Sequence, residues 1–191
     1  MWYIKQKTMT IYFVRHGETI WNKKGILQGH KNSPLTYKGI KSAKKKGKVL
    51  NKKGIEVIYS SDLGRCFQTA EIINKFLGVK IVKTRQLRER DFGNLNGKPD
   101  EMIKKILDLS NPKEKAPNGE SFNDLRKRVI AFINKIPSNK FNNVLLVIHD
   151  GTARAILSKF YNVAFNSKKC STSENIIYSI EKNNKIKKIK L

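Results

Sequence analysis

Histidine is scarce in this chain, with three in 191 residues, and cysteine is scarcer still at two. Cys66 and Cys170 form no CxxC pair and no disulfide framework, and the histidines show no zinc spacing. A reducing, cytoplasmic setting fits best. No apolar run approaches the roughly 18 residues that a membrane span needs, and Met1 to Thr8 lacks the apolar segment of a signal peptide. Acidic residues are few as well, 15 against 40 Lys and Arg, for a net charge of +25. Such an excess attracts polyanions of any sequence. Here the lysines are spread along the chain, and the clusters Lys44-Lys45-Lys46 and Lys187-Lys188 fall on a helix face and the last segment without aromatics for base stacking. We therefore expect no specific nucleic-acid partner and no membrane partner. The charge favours collision with small anions.

The length suits one α/β domain with a substantial core. Apolar runs at Thr10–Val14, Glu56–Tyr59, Lys80–Lys83 and Val144–Ile148 read as strands, separated by amphipathic helices. Thr36 caps a helix to about Lys53 with Ile40, Ala43, Gly47 and Leu50 inward. Ser60-Ser61-Asp62 caps a second helix that Gly78 closes. Ser121 with Asp124 makes a capping-box start for a helix to Ile136, Thr152 to Phe160 is a further helix, and Ile176 to Leu191 is a hairpin turning at Asn183-Asn184. The pattern breaks over 86–120 into an insert with one short helix around Glu101 to Leu109. Met9 stands directly before the first strand, so residues 1–8 read as a disordered, dispensable extension and 9–191 as one domain. The expected architecture is a three-layer α/β/α fold with a mainly parallel central sheet, helices on both faces and 86–120 as a small lid.

The chemistry concentrates where strands end. Ile11 to Val14 runs into Arg15-His16-Gly17-Glu18-Thr19, and Val144 to Ile148 runs into His149-Asp150-Gly151 with Arg154 beyond. In open α/β sheets, ligands bind past the carboxyl ends of the strands. Two of the three histidines occupy that position. Arginine forks onto phosphate oxygens and histidine serves as nucleophile, base or ligand. Arg65 falls in the first turn of its helix, where free N–H groups favour an anion, although a solvated helix arginine reads equally well there in isolation. Leu87-Arg88-Glu89-Arg90-Asp91 places a carboxylate between arginines, as a surface ion-pair cluster would. Asn22 and Gln28 lie in the loop after strand one, within reach of a bound phosphate.

Taken together, the strings RHGETIWN (15–22), QG with SPLTYKG (28–39), SSDLGRCFQTA (60–70), LRERDFGNLNG (87–97), NGESF (118–122) and HDGTAR (149–154) resemble the histidine phosphatase superfamily in its phosphoglycerate mutase-like branch. The resemblance spans Met9 to about Ile180. It implies a phosphate pocket of Arg15, His16, Arg65 and His149, with Glu89 as proton donor and no metal or cofactor. Thr19, Asn22, Gln28, Gly29, Asp150 and Gly151 are placed against the phosphate or the rest of the substrate; Glu18, though inside the signature, reads as structural or orienting rather than catalytic. The implied chemistry is attack by a neutral His16 on phosphorus, giving a phosphohistidine that water cleaves. The expected protein is a metal-independent phosphomonoester hydrolase of a small phosphorylated metabolite, monomeric or homodimeric. Phosphoglycerate mutase is the alternative. A non-catalytic basic protein that binds phospho-ligands or nucleic acid is a remote third. Asp150 stands where relatives often have glycine, so its carboxylate must be paired or turned away. Ile26 and Asn32 replace a common arginine and aspartate. Met102, Ile103, Ile106 and Leu107 either line the pocket or seat their helix.

Overall fold

Alternation along Thr10–Arg15, strand β1, sends Ile11 and Phe13 to one face of a sheet and Tyr12 and Val14 to the other. A period of two is what a strand buried on both faces requires. The computed structural model describes residues 9–181 and 183–191; the expected extension at 1–8 lies outside the described residues. After β1 come a one-turn helix α1 (Ile20–Lys23), strand β2 (Ile26–Leu27) and helix α2 (Tyr37–Leu50). Strand β3 (Val57–Ser61), helix α3 (Gly64–Leu77) and strand β4 (Lys80–Thr84) follow. The 86–120 segment holds β5 (Lys98–Pro99) and α4 (Asp100–Ile106), and the chain continues through α5 (Phe122–Lys135), β6 (Asn143–Ile148) and α6 (Asp150–Tyr161) to a hairpin of β7 (Ile176–Ile180) and β8 (Ile186–Lys190).

The main sheet has the order β4-β3-β6-β1-β7-β8, parallel across its first four strands and antiparallel at β7 and β8. Helices α5 and α6 cover the face carrying Ile11, Phe13, Val144, Leu146 and Ile148. Helices α2 and α3 cover the face of Val14, Leu145 and Val147. This is the expected three-layer fold. A second, two-stranded sheet pairs β2 with β5 and so fastens the 86–120 segment to the loop after β1.

Several local expectations change. Ser60 and Ser61 belong to β3, and α3 begins at Gly64 with no side-chain cap from Leu63. Asp62 instead takes both prongs of Arg88 at 2.7 Å, and the Asn32 side chain accepts the Arg65 amide at 2.9 Å. A bidentate guanidinium outcompetes a backbone amide for the carboxylate. Ile40 is only half-buried, whereas Lys46, expected on the outer lysine face, is fully buried. Of the apolar stripe on and after α4, Ile103 and Leu107 pack with Phe92 and Ala116, while Met102 and Ile106 are 44% and 50% exposed. The stripe seats the segment. The capping box Ser121/Asp124 stands as expected.

Leu146 lies at the centre of β6 with no exposed surface. Leu146→Ala should cost about 2–5 kcal/mol, because packed neighbours on both sides prevent collapse into the cavity. Urea denaturation would check this.

Candidate active site

The parallel register pairs Arg15 with Ile148, and the His16 amide donates to the Ile148 carbonyl at 2.9 Å. The two residues that follow these strand ends, His16 and His149, therefore stand abreast, their rings edge-on with centroids 5.2 Å apart. Gly17 follows where a Cβ would strike the Gly39 backbone, so the turn packs directly on α2. Its amide donates to Thr69 on α3 at 3.1 Å.

The hydrogen bonds of His16 define its tautomer. Nδ1 lies 2.8 Å from the Gly17 carbonyl, an acceptor only, so Nδ1 carries the proton. Nε2 is then a bare lone pair, and Arg65 Nε donates to it at 3.2 Å. Burial first, then the charges of Arg65 and Arg15, hold the His16 pKa well below the ordinary imidazole value. The ring is neutral at physiological pH. The rest of the Arg65 guanidinium is clamped by the Lys31 carbonyl at 2.7 Å and the Gly29 carbonyl at 2.8 Å. Gly29 offers that carbonyl at φ +50°, in a position where a Cβ would collide with Asn96.

Glu89 comes from the loop after β4. One carboxylate oxygen accepts the Arg90 amide at 2.8 Å and the other the Gly151 amide at 3.1 Å. Burial pushes its pKa up against those two hydrogen bonds. The flanking arginines serve elsewhere: Arg88 is paired with Asp62, and Arg90 donates to the carbonyls of Glu114 and Glu120. Arg128 of α5 completes the frame, donating to Glu120 and to the backbone of Gln86 and Glu89.

A cleft of about 600 Å³ opens over these groups. Arg15, His16, Asn22, Gln28, Gly29, Arg65, Glu89, Asp150 and Gly151 all line it. Two expected residues do not. Thr19 is fully buried: its hydroxyl and amide form a capping box with Asn22, and Gln28 Nε2 donates to its hydroxyl at 2.9 Å. It positions two cleft residues without reaching the cleft. His149 is also fully buried, with Nε2 2.9 Å from the Ser61 hydroxyl and 3.3 Å from the Cys66 sulfur. Burial lowers its pKa and raises that of the Cys66 thiol, so both are uncharged. Asp150 lines the cleft, but its carboxylate is taken by Arg15 at 3.3 Å, Arg154 at 2.8 Å and the Thr172 hydroxyl. Burial opposes its ionisation; Arg15, Thr172 and Arg154 outweigh that and hold its pKa low. Glu18 accepts from Thr36 and pairs with Lys38, a structural part. Sequence reading missed the clamp on Arg65, the frame of Arg128 and the buried Lys46. For Lys46 the signal was present, since it lies three residues after the inward Ala43.

At Gly151 an added Cβ would meet the Glu89 carboxylate, the movable end of a side chain, rather than backbone. Gly151→Ala should therefore displace Glu89 and slow any reaction that depends on the placement of that carboxylate by about 10- to 100-fold. The melting temperature should stay close to that of the parent protein, as differential scanning calorimetry would register.

Comparison with known proteins agrees with this geometry. Residues 11–185 match the histidine phosphatase superfamily (branch 1). Among curated relatives, "Putative phosphoserine phosphatase 2" of Hydrogenobacter thermophilus is 38% identical over 154 residues, covering 77% of this chain and 76% of its own. "Probable phosphoglycerate mutase GpmB" of Proteus mirabilis is 35% identical over 159 residues, covering 78% and 74%. Among solved structures, YhfR of Bacillus stearothermophilus superposes with a TM-score of 0.80 at 30% identity, covering 91% of each chain. The chain belongs to the histidine phosphatase superfamily, branch 1.

Proposed function

We propose that this protein hydrolyses small phosphomonoesters through a phosphohistidine on His16. The observation that carries the reading is the pair of bonds on His16. Nδ1–H is held by the Gly17 carbonyl, and the Nε2 lone pair is directed at a guanidinium that lines the cleft. A phosphoryl group entering the cleft displaces the Arg65 Nε–H from Nε2 and receives that N–H on an oxygen, with Arg15 on another. Nε2 forms the bond to phosphorus as the ester P–O bond breaks. The Glu89 proton goes to the leaving alkoxide. In the second half, ionised Glu89 takes a proton from water, whose oxygen attacks phosphorus and releases His16. His149, edge-on to His16 and uncharged, backs the nucleophile. Cys66 and Ser61 are spent on His149 and are not competing nucleophiles.

Beyond the phosphate end, the cleft is walled by Leu27, Leu109 and the stacked pair Phe122 and Phe165, whose centroids are 3.9 Å apart. Those walls suit a substrate with an apolar portion. The protein acts without a metal, because Arg15 and Arg65 supply the positive charge.

Mutase activity is the second reading, favoured by the relative named as a phosphoglycerate mutase. Transfer to a second phosphorylated acid requires that water be shut out of the intermediate. The segment over the cleft contributes only a seven-residue helix and a two-residue strand as regular α and β structure. That is little material for a closing lid, and hydrolysis is the better fit.

Enzyme quenched in alkaline detergent should carry phosphate on His16 in an acid-labile, base-stable linkage; label on Ser60, Cys66 or His149 would overturn the assignment. The pH dependence follows from the two shifted groups. His16, with its pKa lowered, becomes protonated and inactive only as pH falls. Glu89, with its pKa raised, keeps its proton further up the scale than an ordinary carboxyl and loses it as pH rises. Alkyl phosphates should therefore turn over best on the acid side of neutral. Glu89→Gln should cut kcat/KM for them by about 10²–10⁴, while p-nitrophenyl phosphate, whose phenolate leaves unaided, is barely affected. Equal losses on both would remove Glu89 from the role of acid.

With 3-phosphoglycerate and catalytic 2,3-bisphosphoglycerate, little isomerisation is expected. Turnover at tens per second, a working metabolic rate, would promote the mutase.

A further inference from the structure

Among the lysines of α2, one does not face solvent. Lys46 has no exposed surface, and its Nζ donates to the carbonyl of Arg15 at 2.8 Å. Arg15 ends β1 and is bonded through that same carbonyl to the nitrogen of His16. An ammonium out of water is costly unless something compensates it, and a helix position on an inner stripe ordinarily takes an apolar side chain. Leu50 and Ala43 do so on the same face.

We propose that Lys46 is a positioning residue of the phosphate site, an ammonium buried behind the Arg15–His16 peptide that fixes the strand end carrying both groups and adds a positive charge at the back of the site. The inference rests on the reading of the cleft as a phosphate site. Charged and titratable groups act on Lys46 from each neighbouring element: Arg15 and His16 at the end of β1, Cys66 on α3, and Glu174 ahead of β7. Glu174 is held in place by the Glu18 amide at 2.9 Å and by Lys38. Glu174 favours the ammonium. Burial and Arg15 oppose it, and the balance lowers the pKa of Lys46 to about 8. Its charge in turn is one of the influences that keep His16 unprotonated. The sign is then fixed. Below about pH 8 the ammonium is present and reinforces a bound dianion; above it the charge is lost and the dianion is held less tightly.

The test uses inorganic phosphate as a competitive inhibitor of p-nitrophenyl phosphate hydrolysis, with Ki referred to the dianion between pH 7 and 9.5. The unaltered protein should show Ki rising through a step near pH 8. Lys46→Met, which keeps the side-chain length without the charge, should bind phosphate about five- to tenfold more weakly at pH 7 and lack the step. A merely space-filling lysine would not produce a pH step that its removal abolishes. Lys46→Met that is folded by circular dichroism, binds phosphate within twofold of the parent and keeps the step would overturn the proposal. Should Lys46→Met fail to fold, Lys46→Gln takes its place. Should both fail, the parent protein decides alone, since a Ki that stays flat to pH 9.5 is incompatible with a titrating ammonium behind the site. Failure of phosphate to compete at any pH in the parent protein would sink the phosphate-site reading itself, a result distinct from competition that ignores Lys46.

Discussion

The parallel pairing of β1 with β6, in the register that sets Arg15 opposite Ile148, brings the strand ends that carry Arg15, His16, His149 and Asp150 side by side. A slip of one residue would turn each side chain to the other face of the sheet. Burial on both faces forbids that, because Ile11 and Phe13 share one core with Leu146 while Val14 and Val147 share another. With the register locked, both strands end level. His16 and His149 meet edge-on, and α6 starts directly at Asp150, so that its second residue presents an amide to Glu89. The loop holding Glu89 is thus tied to the end of β6, beside the end of β1 that carries His16, by a hydrogen bond from the Gly151 amide, where an added Cβ would meet the Glu89 carboxylate.

The cations of the site are held rather than free. Arg65 is clamped by two backbone carbonyls, Lys46 donates to a third, and Arg15 leans on Asp150. Fixed donors need no reorganisation when charge develops, which is where electrostatic stabilisation is most effective. Asp150 would repel a phosphate if it stood alone. Shared among Arg15, Arg154 and Thr172, it orients Arg15 instead. Among the described residues no lysine lines the cleft, and Lys38 at the surface pairs with Glu18 and Glu174. The surface excess of lysine acts at long range and is screened within about a Debye length.

How much of this was legible in the sequence depends on the range of the interaction. Strand-end histidines, the capping box at Ser121 and the buried alternation of β1 and β6 are local patterns, and they led directly to the fold and to the residues that gather at the cleft. The family strings named Glu89 although nothing in the periodicity of the 86–120 segment did. What remained hidden were pairings across the chain. Asp62 was read as a helix cap because it precedes a helix; Arg88, 26 residues away, takes it instead. Asn32 then caps α3 from a loop that sequence order places far off. Thr19 was read as touching substrate because it sits inside the signature, yet its hydroxyl is spent on Asn22 and Gln28. Lys46 was read with its charged neighbours rather than by its phase on the helix.

One environment also shifts both titrating groups of the proposed acid–base chemistry. Removing a group from water disfavours its charged form, which lowers the pKa of an imidazole and raises that of a carboxyl. His16 and Glu89 line the same cleft and both are shifted mainly by burial, in opposite directions on the pH scale and toward the same outcome. Each is pushed toward its uncharged form, which in the proposed mechanism is the histidine lone pair that attacks and the glutamic acid proton that leaves. No separate device is needed to oppose them. The permanent cations Arg15 and Arg65 reinforce this on the histidine side, because they repel a proton from Nε2. On the glutamate side Arg65 works the other way, favouring ionisation. In the proposed mechanism that opposing pull suits a group that gives up its proton in one step and acts as carboxylate in the next.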